Sequence, residues 1–105
     1  MSFVRVGLQR LLDDPSAILG DRRVGLVCNP TSVTRDFRHA IHAMHADDRV
    51  RLTLLFGPEH GLQATAQDMV GVERARDPQT GVPIISLYGN TFESLSPTQA
   101  QLAEI

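Results

Sequence analysis

The sequence predicts an α/β fold in which helices flank a parallel sheet. Three short apolar runs, each bounded by turn residues, have the length and composition of buried strands. Segments with apolar residues at helical spacing alternate with these runs, which is typical of parallel strands joined by crossover helices. We expect residues 1–105 to form a single domain. Because a three-stranded parallel sheet is thin, we also expect these residues to be a truncated part of a larger domain.

The chain begins with two predicted helices. The first dozen residues carry an apolar stripe at helical spacing: Val4, Leu8, Leu11 and Leu12. Asp14 and Pro15 then form a typical helix start, an N-cap followed by proline at the first helical position. Gly20 is expected to end this second, short helix.

A strand–helix–strand unit follows. The run VGLVC at residues 24–28 predicts the first strand, and residues 50–56 predict the second. Between them, residues 35–46 predict a helix with an apolar stripe at i, i+3, i+4 and i+7: Phe37, Ala40, Ile41 and Met44. The unit fits a right-handed parallel crossover.

The second half of the chain predicts one strand and one helix. Residues 57–83 form a long irregular connection, of a length that is usually functional or mobile. PIISL at residues 83–87 predicts the third strand. Ser96 and Pro97 predict the start of a last helix, with Leu102 and Ile105 on its apolar face.

Composition excludes several classes of partner. The net charge is −2 and all ten basic residues are scattered arginines, so no nucleic-acid surface is expected. No apolar run approaches the ~20 residues of a membrane helix, so no membrane partner is expected. The first dozen residues lack the pattern of a signal peptide, which predicts a cytoplasmic protein. The single cysteine, Cys28, lies in an apolar run and is expected to be a buried side chain.

Three histidines repeat every third residue on the predicted helix: His39, His42 and His45. Such spacing can present imidazoles to a metal ion. However, all three lie away from the apolar stripe, so we expect a solvated face and neither a metal nor an organic cofactor.

Each predicted strand ends in a polar, turn-forming cluster. The clusters are Asn29-Pro30-Thr31, Gly57-Pro58-Glu59-His60-Gly61 and Ser86-Leu87-Tyr88-Gly89. Ligands of open α/β sheets bind outside the carboxyl ends of the strands. If the strands are parallel, an amide, a hydroxyl, a carboxyl, an imidazole and a phenol converge on one crevice.

The stretch LLFGPEHG, residues 54–61, carries the strongest candidate. A carboxyl such as Glu59 at an apolar strand end can be partly desolvated, and the resulting rise in pKa suits a general acid. Gly57 and Gly61 allow a tight turn and close approach of a ligand, and His60 can orient Glu59 or bind substrate. From the residues alone, a helix-capping Glu59 with a surface His60 remains equally open.

The other strand ends also have two interpretations. Asn29 and Thr31 can contact a ligand or simply build the turn. Tyr88 can face the crevice or belong to the core with its hydroxyl at the rim.

Three stretches together resemble a known family. RVGLVCNPTSVTRD (residues 23–36), LLFGPEHG (54–61) and DPQTGVPIISLYG (77–89) are similar, in order and spacing, to the NamZ-like exo-β-N-acetylmuramidases of peptidoglycan turnover. The resemblance covers residues 22 to about 97. Where the family usually carries Arg-Gly after the second motif, this chain has Leu62-Gln63-Ala64.

The resemblance implies a Rossmann-like catalytic domain that removes N-acetylmuramic acid from the non-reducing end of peptidoglycan-derived glycan. It implies that Glu59 is the catalytic acid, assisted by His60. The sugar would then be bound by the remaining strand-end residues: Asn29, Thr31, Gly57, Gly61 and Tyr88.

Glycoside hydrolysis generally needs two carboxylates, and this chain offers one good candidate. We therefore expect the 105 residues alone to be inactive. A non-catalytic module that binds a sugar or an anion is the alternative. A nucleotide-binding domain fits poorly, because no G-x-G-x-x-G follows the first strand. The thin sheet also predicts possible self-association through an exposed edge.

Overall fold

The computed structural model describes residues 4–58, 75–88 and 91–105. Helices and strands alternate over this part of the chain. They are α1 (Gly7–Asp13), α2 (Pro15–Leu19), β1 (Arg23–Val27), α3 (Ala40–His45), β2 (Arg51–Pro58), β3 (Ala75–Arg76), β4 (Pro83–Leu87) and α4 (Gln99–Leu102), with a 3-10 turn at Glu93–Leu95.

The strands form one sheet in the order β1-β2-β4-β3. β1, β2 and β4 are parallel, whereas β3 pairs antiparallel with β4. The predicted α/β fold with a largely parallel sheet is therefore confirmed. The prediction missed β3, because two residues are too short to show a periodic pattern. Self-association through an exposed edge of the sheet stays a prediction.

The first two helices follow their sequence signals. α1 lies within the predicted N-terminal helix, but Val4 of the predicted apolar stripe precedes it and is exposed. The Asp14 side chain accepts a hydrogen bond from the backbone N–H of Ala17, and Pro15 is the first residue of α2. Gly20 ends α2 with a φ of 62°, a left-handed conformation that glycine adopts without steric cost.

The predicted helix at 35–46 is wrong in its first turn, since α3 begins only at Ala40. Residues 33–39 instead form a small loop closed by a bridge between Val33 and His39. In this loop the Thr34 hydroxyl accepts from Arg38 N (3.0 Å) and donates to Asp36. These local bonds offer the backbone an alternative to the helix.

Phe37 does not belong to the apolar stripe. It lies at the tip of this loop with a φ of 64° and is 86% exposed. The remaining members of the predicted stripe are buried as expected: Ala40, Ile41 and Met44.

A bulge in β2 changes which side chains of this strand pack on each face of the sheet. The register to β1 shifts because Thr53 is an extra residue between Leu52 and Leu54. The Thr53 hydroxyl donates to the Val24 carbonyl (3.3 Å). Because of the extra residue, Leu52 and Leu55, which are three positions apart, pack in the same cluster.

Two apolar clusters cover the two faces of the sheet. The larger one joins β2 to α3 and contains Cys28, Ile41, Met44, Val50, Leu52, Leu55 and Val82, with side chains of α1 and α2 packed against it. The smaller one contains Leu54, Phe56, Ile85 and Leu87, with Ile105 packed against it.

The last helix brings Ile105 onto the smaller cluster. α4 begins two residues later than predicted, at a capping box formed by Thr98 and Gln101. Ile105 lies so close to Gly25 that an added Cβ there would stand 3.0 Å from its side chain. Leu102, predicted on the apolar face, is instead 47% exposed. Over the described ranges, no helix is both long and apolar enough to cross a membrane.

Leu55→Ala is expected to reduce the free energy of unfolding by about 2–5 kcal/mol, because Leu55 is fully buried and its truncation leaves a cavity. Ile18→Ala is the control, since Ile18 lies on α2 and is 55% exposed; it should cost no more than about 0.5 kcal/mol. Urea denaturation measures both. Equal losses for the two variants would contradict the core described above.

Candidate functional site

The carboxyl ends of β1, β2 and β4 lie at one edge of the sheet, which we call the carboxyl edge. Val27, the last residue of β1, lies beside Phe56. Pro58, the last residue of β2, lies beside Leu87, the last residue of β4. The three polar strand ends therefore leave the sheet at the same edge, where open α/β sheets bind ligands.

Four of the predicted site residues belong to the described part of the chain: Asn29, Thr31, Gly57 and Tyr88. The other three lie outside the described residues: Glu59, His60 and Gly61. Glu59 follows Pro58 directly in the sequence, and β2 is the strand between β1 and β4. Pro58, the last described residue before Glu59, therefore lies at the carboxyl edge between the ends of β1 and β4.

Gly57 belongs to a strand and not to a turn, which corrects the interpretation of this glycine as a turn residue. It is buried and pairs with Ser86 of β4. The strand continues to Pro58, which has no N–H to donate to a neighbouring strand and so favours the end of the ladder. Contact of Gly57 with a ligand stays a prediction.

Residues 29–32 form a tight turn, which we call the Asn29 turn. The Oδ1 of Asn29 accepts from the backbone N–H of Thr31 (3.0 Å) and from its hydroxyl (2.7 Å). The backbone N–H of Asn29 donates to the Ser32 hydroxyl (3.1 Å), and Ser32 N donates back to the Asn29 carbonyl (3.1 Å). Asn29 and Thr31 thus build the turn, as one of the two interpretations predicts, and both are exposed at the carboxyl edge.

The ring of His39 connects the Asn29 turn to α3. Its Nδ1 accepts from the backbone N–H of Ile41 (3.1 Å), which makes His39 the N-cap of the helix. Its Nε2 lies 2.8 Å from the carbonyl oxygen of Asn29. The prediction that places His39 on a face of the helix is therefore wrong, because it precedes α3 as the N-cap and both of its ring nitrogens are bonded.

Sequence reasoning missed the role of His39 because no local signal carries it. Histidine is not among the favoured N-cap residues. Its partner Asn29 is ten positions away, a separation that only the path of the intervening loop brings within hydrogen-bonding distance.

Tyr88 follows β4 directly, and its side chain is 62% exposed. The alternative that it belongs to the core is therefore not supported. Its position beside the carboxyl edge is compatible with sugar binding, which stays a prediction.

Cys28 lies at the base of the carboxyl edge and is buried, as predicted. Its N–H donates to the carbonyl of Phe56 (3.1 Å), which extends the β1–β2 pairing by one residue. Burial, with a smaller contribution from the negative charge of Asp77, raises the pKa of the Cys28 thiol to about 11. A protonated, enclosed thiol is a packing group and not a nucleophile.

Asp77 closes a turn beside β3. Its Oδ2 accepts from the backbone N–H and the hydroxyl of Thr80, both at 2.8 Å. Gly81, with a φ of 76°, donates its N–H to the Asp77 carbonyl (2.7 Å). This carboxyl is buried and bound within its own turn, so it is not a second acid at the carboxyl edge.

Lowered carboxyl pKa values occur in the loops on either side of α3. The Thr34 hydroxyl is the main cause of the lowered pKa of Asp36. The Arg49 guanidinium is the main cause for Asp47, whose Oδ1 and Oδ2 accept from it at 3.0 and 2.9 Å. Both carboxyls are stabilised in the ionised form and are therefore unsuited to general acid work.

The described residues also line open clefts around α3 and its flanking loops, such as a cleft of about 380 Å³ between α1, residues 34–38 and Ala43. Among these same residues, no group of three or more His, Cys, Asp or Glu side chains is arranged to hold a metal ion.

Comparison with known proteins identifies relatives of this chain. The profile of the family described as "Exo-beta-N-acetylmuramidase NamZ, N-terminal" matches residues 24–105. The peptidoglycan beta-N-acetylmuramidase NamZ of Bacillus subtilis is 39% identical over 102 residues, which is 97% of this chain and 24% of the relative. The crystal structure of a DUF1343 family protein from Bacteroides fragilis superposes with a TM-score of 0.76 and 34% identity.

The structural match covers 93% of this chain and 23% of the Bacteroides fragilis protein. The chain therefore spans about a quarter of the length of the relatives that it matches. This partial coverage agrees with the expectation of a truncated part of a larger domain.

Ionisation of Cys28 is expected to make stability fall at alkaline pH. An unfolded thiol loses its proton near a pH of about 8.5, whereas the folded chain holds its proton up to a pKa of about 11. Between these values the unfolded state binds fewer protons, so the free energy of unfolding decreases as pH rises. Urea denaturation at several pH values measures this decrease.

Cys28→Ala is the control, because the other titrating groups are the same in both proteins. The wild-type chain should lose more stability than the variant between a pH of about 8 and about 10.5. Parallel pH profiles for the two proteins would show that the thiol is not protected by burial.

Proposed function

Because the chain belongs to the family of NamZ N-terminal domains, we propose that it supplies part of the active site of a glycoside hydrolase. The substrate class is peptidoglycan-derived glycan, from which N-acetylmuramic acid is removed at the non-reducing end. The observation that carries the proposal is the position of the GPEHG motif. Its first two residues, Gly57 and Pro58, end strand β2, which lies between β1 and β4 in the sheet.

In this proposal Glu59 is the general acid. It would protonate the glycosidic oxygen as the bond to the departing group breaks, a step that needs a carboxyl held close to that oxygen. The strand residues that precede Glu59 are held in place, since Leu55, Phe56 and Gly57 are all buried in the sheet. A rigid strand holds a catalytic group more precisely than a free loop does.

The neighbouring strand ends would bind the sugar. Asn29 and Thr31 present an amide and a hydroxyl on one side of β2, and Tyr88 presents an exposed ring and phenol on the other. Amides and hydroxyls satisfy the hydroxyl groups of a sugar, and an aromatic face can pack against its apolar C–H surface. His60 would orient Glu59, and Gly61 would allow close approach of the substrate.

The second catalytic group is proposed to come from outside these 105 residues. A glycosidase of the usual kind needs a carboxylate opposite the acid. Asp77, the one buried carboxyl among the described residues, is bound within its own turn. The chain alone is therefore expected to bind the sugar without cleaving the glycosidic bond.

A non-catalytic sugar-binding module is the second candidate. It is favoured by Leu62-Gln63-Ala64 in the place where the family usually carries Arg-Gly. Loss of an arginine there would remove a charged group near the proposed acid while leaving the polar strand ends in place.

The catalytic role of Glu59 is testable in a chimera in which this chain replaces the matching part of the Bacillus subtilis relative. We expect release of N-acetylmuramic acid from its chromogenic glycoside. Glu59→Gln should lower kcat by about 10²–10⁴-fold, because glutamine cannot donate the proton. Glu93→Gln is the matched control, since Glu93 is exposed in the 3-10 turn. Unchanged turnover by Glu59→Gln would exclude its role as the acid.

Sugar binding by the chain alone tests whether the carboxyl edge is a sugar site. Titration with N-acetylmuramic acid should shift the amide NMR signals of Asn29, Thr31, Gly57 and Tyr88, and leave Ala17 on α2 unchanged. Binding together with an inactive chimera would favour the non-catalytic module. Shifts spread over the whole chain would argue against a site at the carboxyl edge.

A further inference from the structure

We propose that His39 is a positioning residue that holds the Asn29 turn in the orientation required for sugar binding. The inference rests on the proposed function of the carboxyl edge. It assigns to His39 two separable tasks, capping α3 and orienting the strand end of β1.

The two hydrogen bonds of the ring define its protonation state. Because Ile41 N–H donates to Nδ1 at 3.1 Å, Nδ1 carries no proton. The proton of the neutral ring is therefore on Nε2, which donates to the Asn29 carbonyl at 2.8 Å. The ring is thus a bridge with an acceptor facing the helix and a donor facing the turn.

The bond from Nε2 controls the orientation of the turn and not its internal shape. The shape is fixed by bonds among Asn29, Thr31 and Ser32. The turn has a second connection to the start of α3, because Ala40 N donates to the Ser32 carbonyl at 2.8 Å. His39 and Ala40 therefore hold the two ends of the turn against the helix, and removal of the His39 bond leaves the Asn29 end without its hydrogen bond to the start of α3.

The turn needs this support because Asn29 lies just beyond the sheet. The β1–β2 hydrogen bonds extend to Cys28 N, which donates to Phe56 O. A displacement of Asn29 would move both polar groups that the proposed site draws from β1, namely Asn29 and Thr31.

Two substitutions separate the two tasks. In His39→Asn, the side-chain oxygen can take the place of Nδ1 and cap α3, but no group reaches Asn29. In His39→Gln, the amide nitrogen can take the place of Nε2 and bond the Asn29 carbonyl, but the cap is lost. A residue with a purely structural role would not produce opposite effects in these two variants.

The experiment measures urea denaturation and N-acetylmuramic acid affinity of the wild-type chain and both variants. His39→Asn should keep a denaturation midpoint close to the wild-type value, because asparagine is a favoured N-cap residue and offsets the lost bond to Asn29. It should weaken affinity by about tenfold, because the Asn29 turn is no longer held in its binding orientation. His39→Gln should lower the midpoint and keep an affinity within about twofold of the wild-type value.

Several outcomes would overturn the proposal. Wild-type affinity in His39→Asn, or affinity that follows stability in both variants, contradicts the positioning role while leaving the proposed function intact. Absence of binding by the wild-type chain contradicts the sugar site and the positioning role together.

Discussion

Burial of β2 on both faces is the constraint on which the rest of this structure depends. Leu54 and Leu55, neighbours in the strand, face opposite sides of the sheet, and the bulged residue Thr53 places Leu52 on the same side as Leu55. Each leucine side chain of this kind contributes about 1.5–3 kcal/mol when it is removed from water. Because β2 is held from both sides, its carboxyl end is a rigid origin for the motif that follows it.

At the carboxyl edge, the firmly held end of β2 lies next to polar groups that are stabilised by hydrogen bonds to nearby residues. The Asn29 turn at the end of β1 is held by its own side chains, and Tyr88 at the end of β4 is exposed. The hydrogen bonds of His39 connect the Asn29 turn to α3 and so fix the orientation of the turn. A sugar site needs both properties, because hydrogen bonds to hydroxyl groups depend on direction as well as on distance.

The relation to the NamZ family gives this edge its chemical interpretation. The chain spans about a quarter of the length of the relatives that it matches. Two buried groups of the described residues have structural tasks: Cys28 packs as a neutral thiol, and Asp77 closes a turn. Neither group competes with Glu59 for the acid role that we propose.

Local signals in the sequence were sufficient for the α/β class, the strand at 83–87 and the cap of α2 by Asp14, since these depend on neighbouring residues. The same signals were misleading at Phe37, because the hydrogen bonds of Thr34 outweighed the helical spacing. Neither the bulge at Thr53 nor the contact of His39 with Asn29 was predictable. Both arise from pairing and packing between segments distant in the chain, and no pattern of adjacent residues records such contacts.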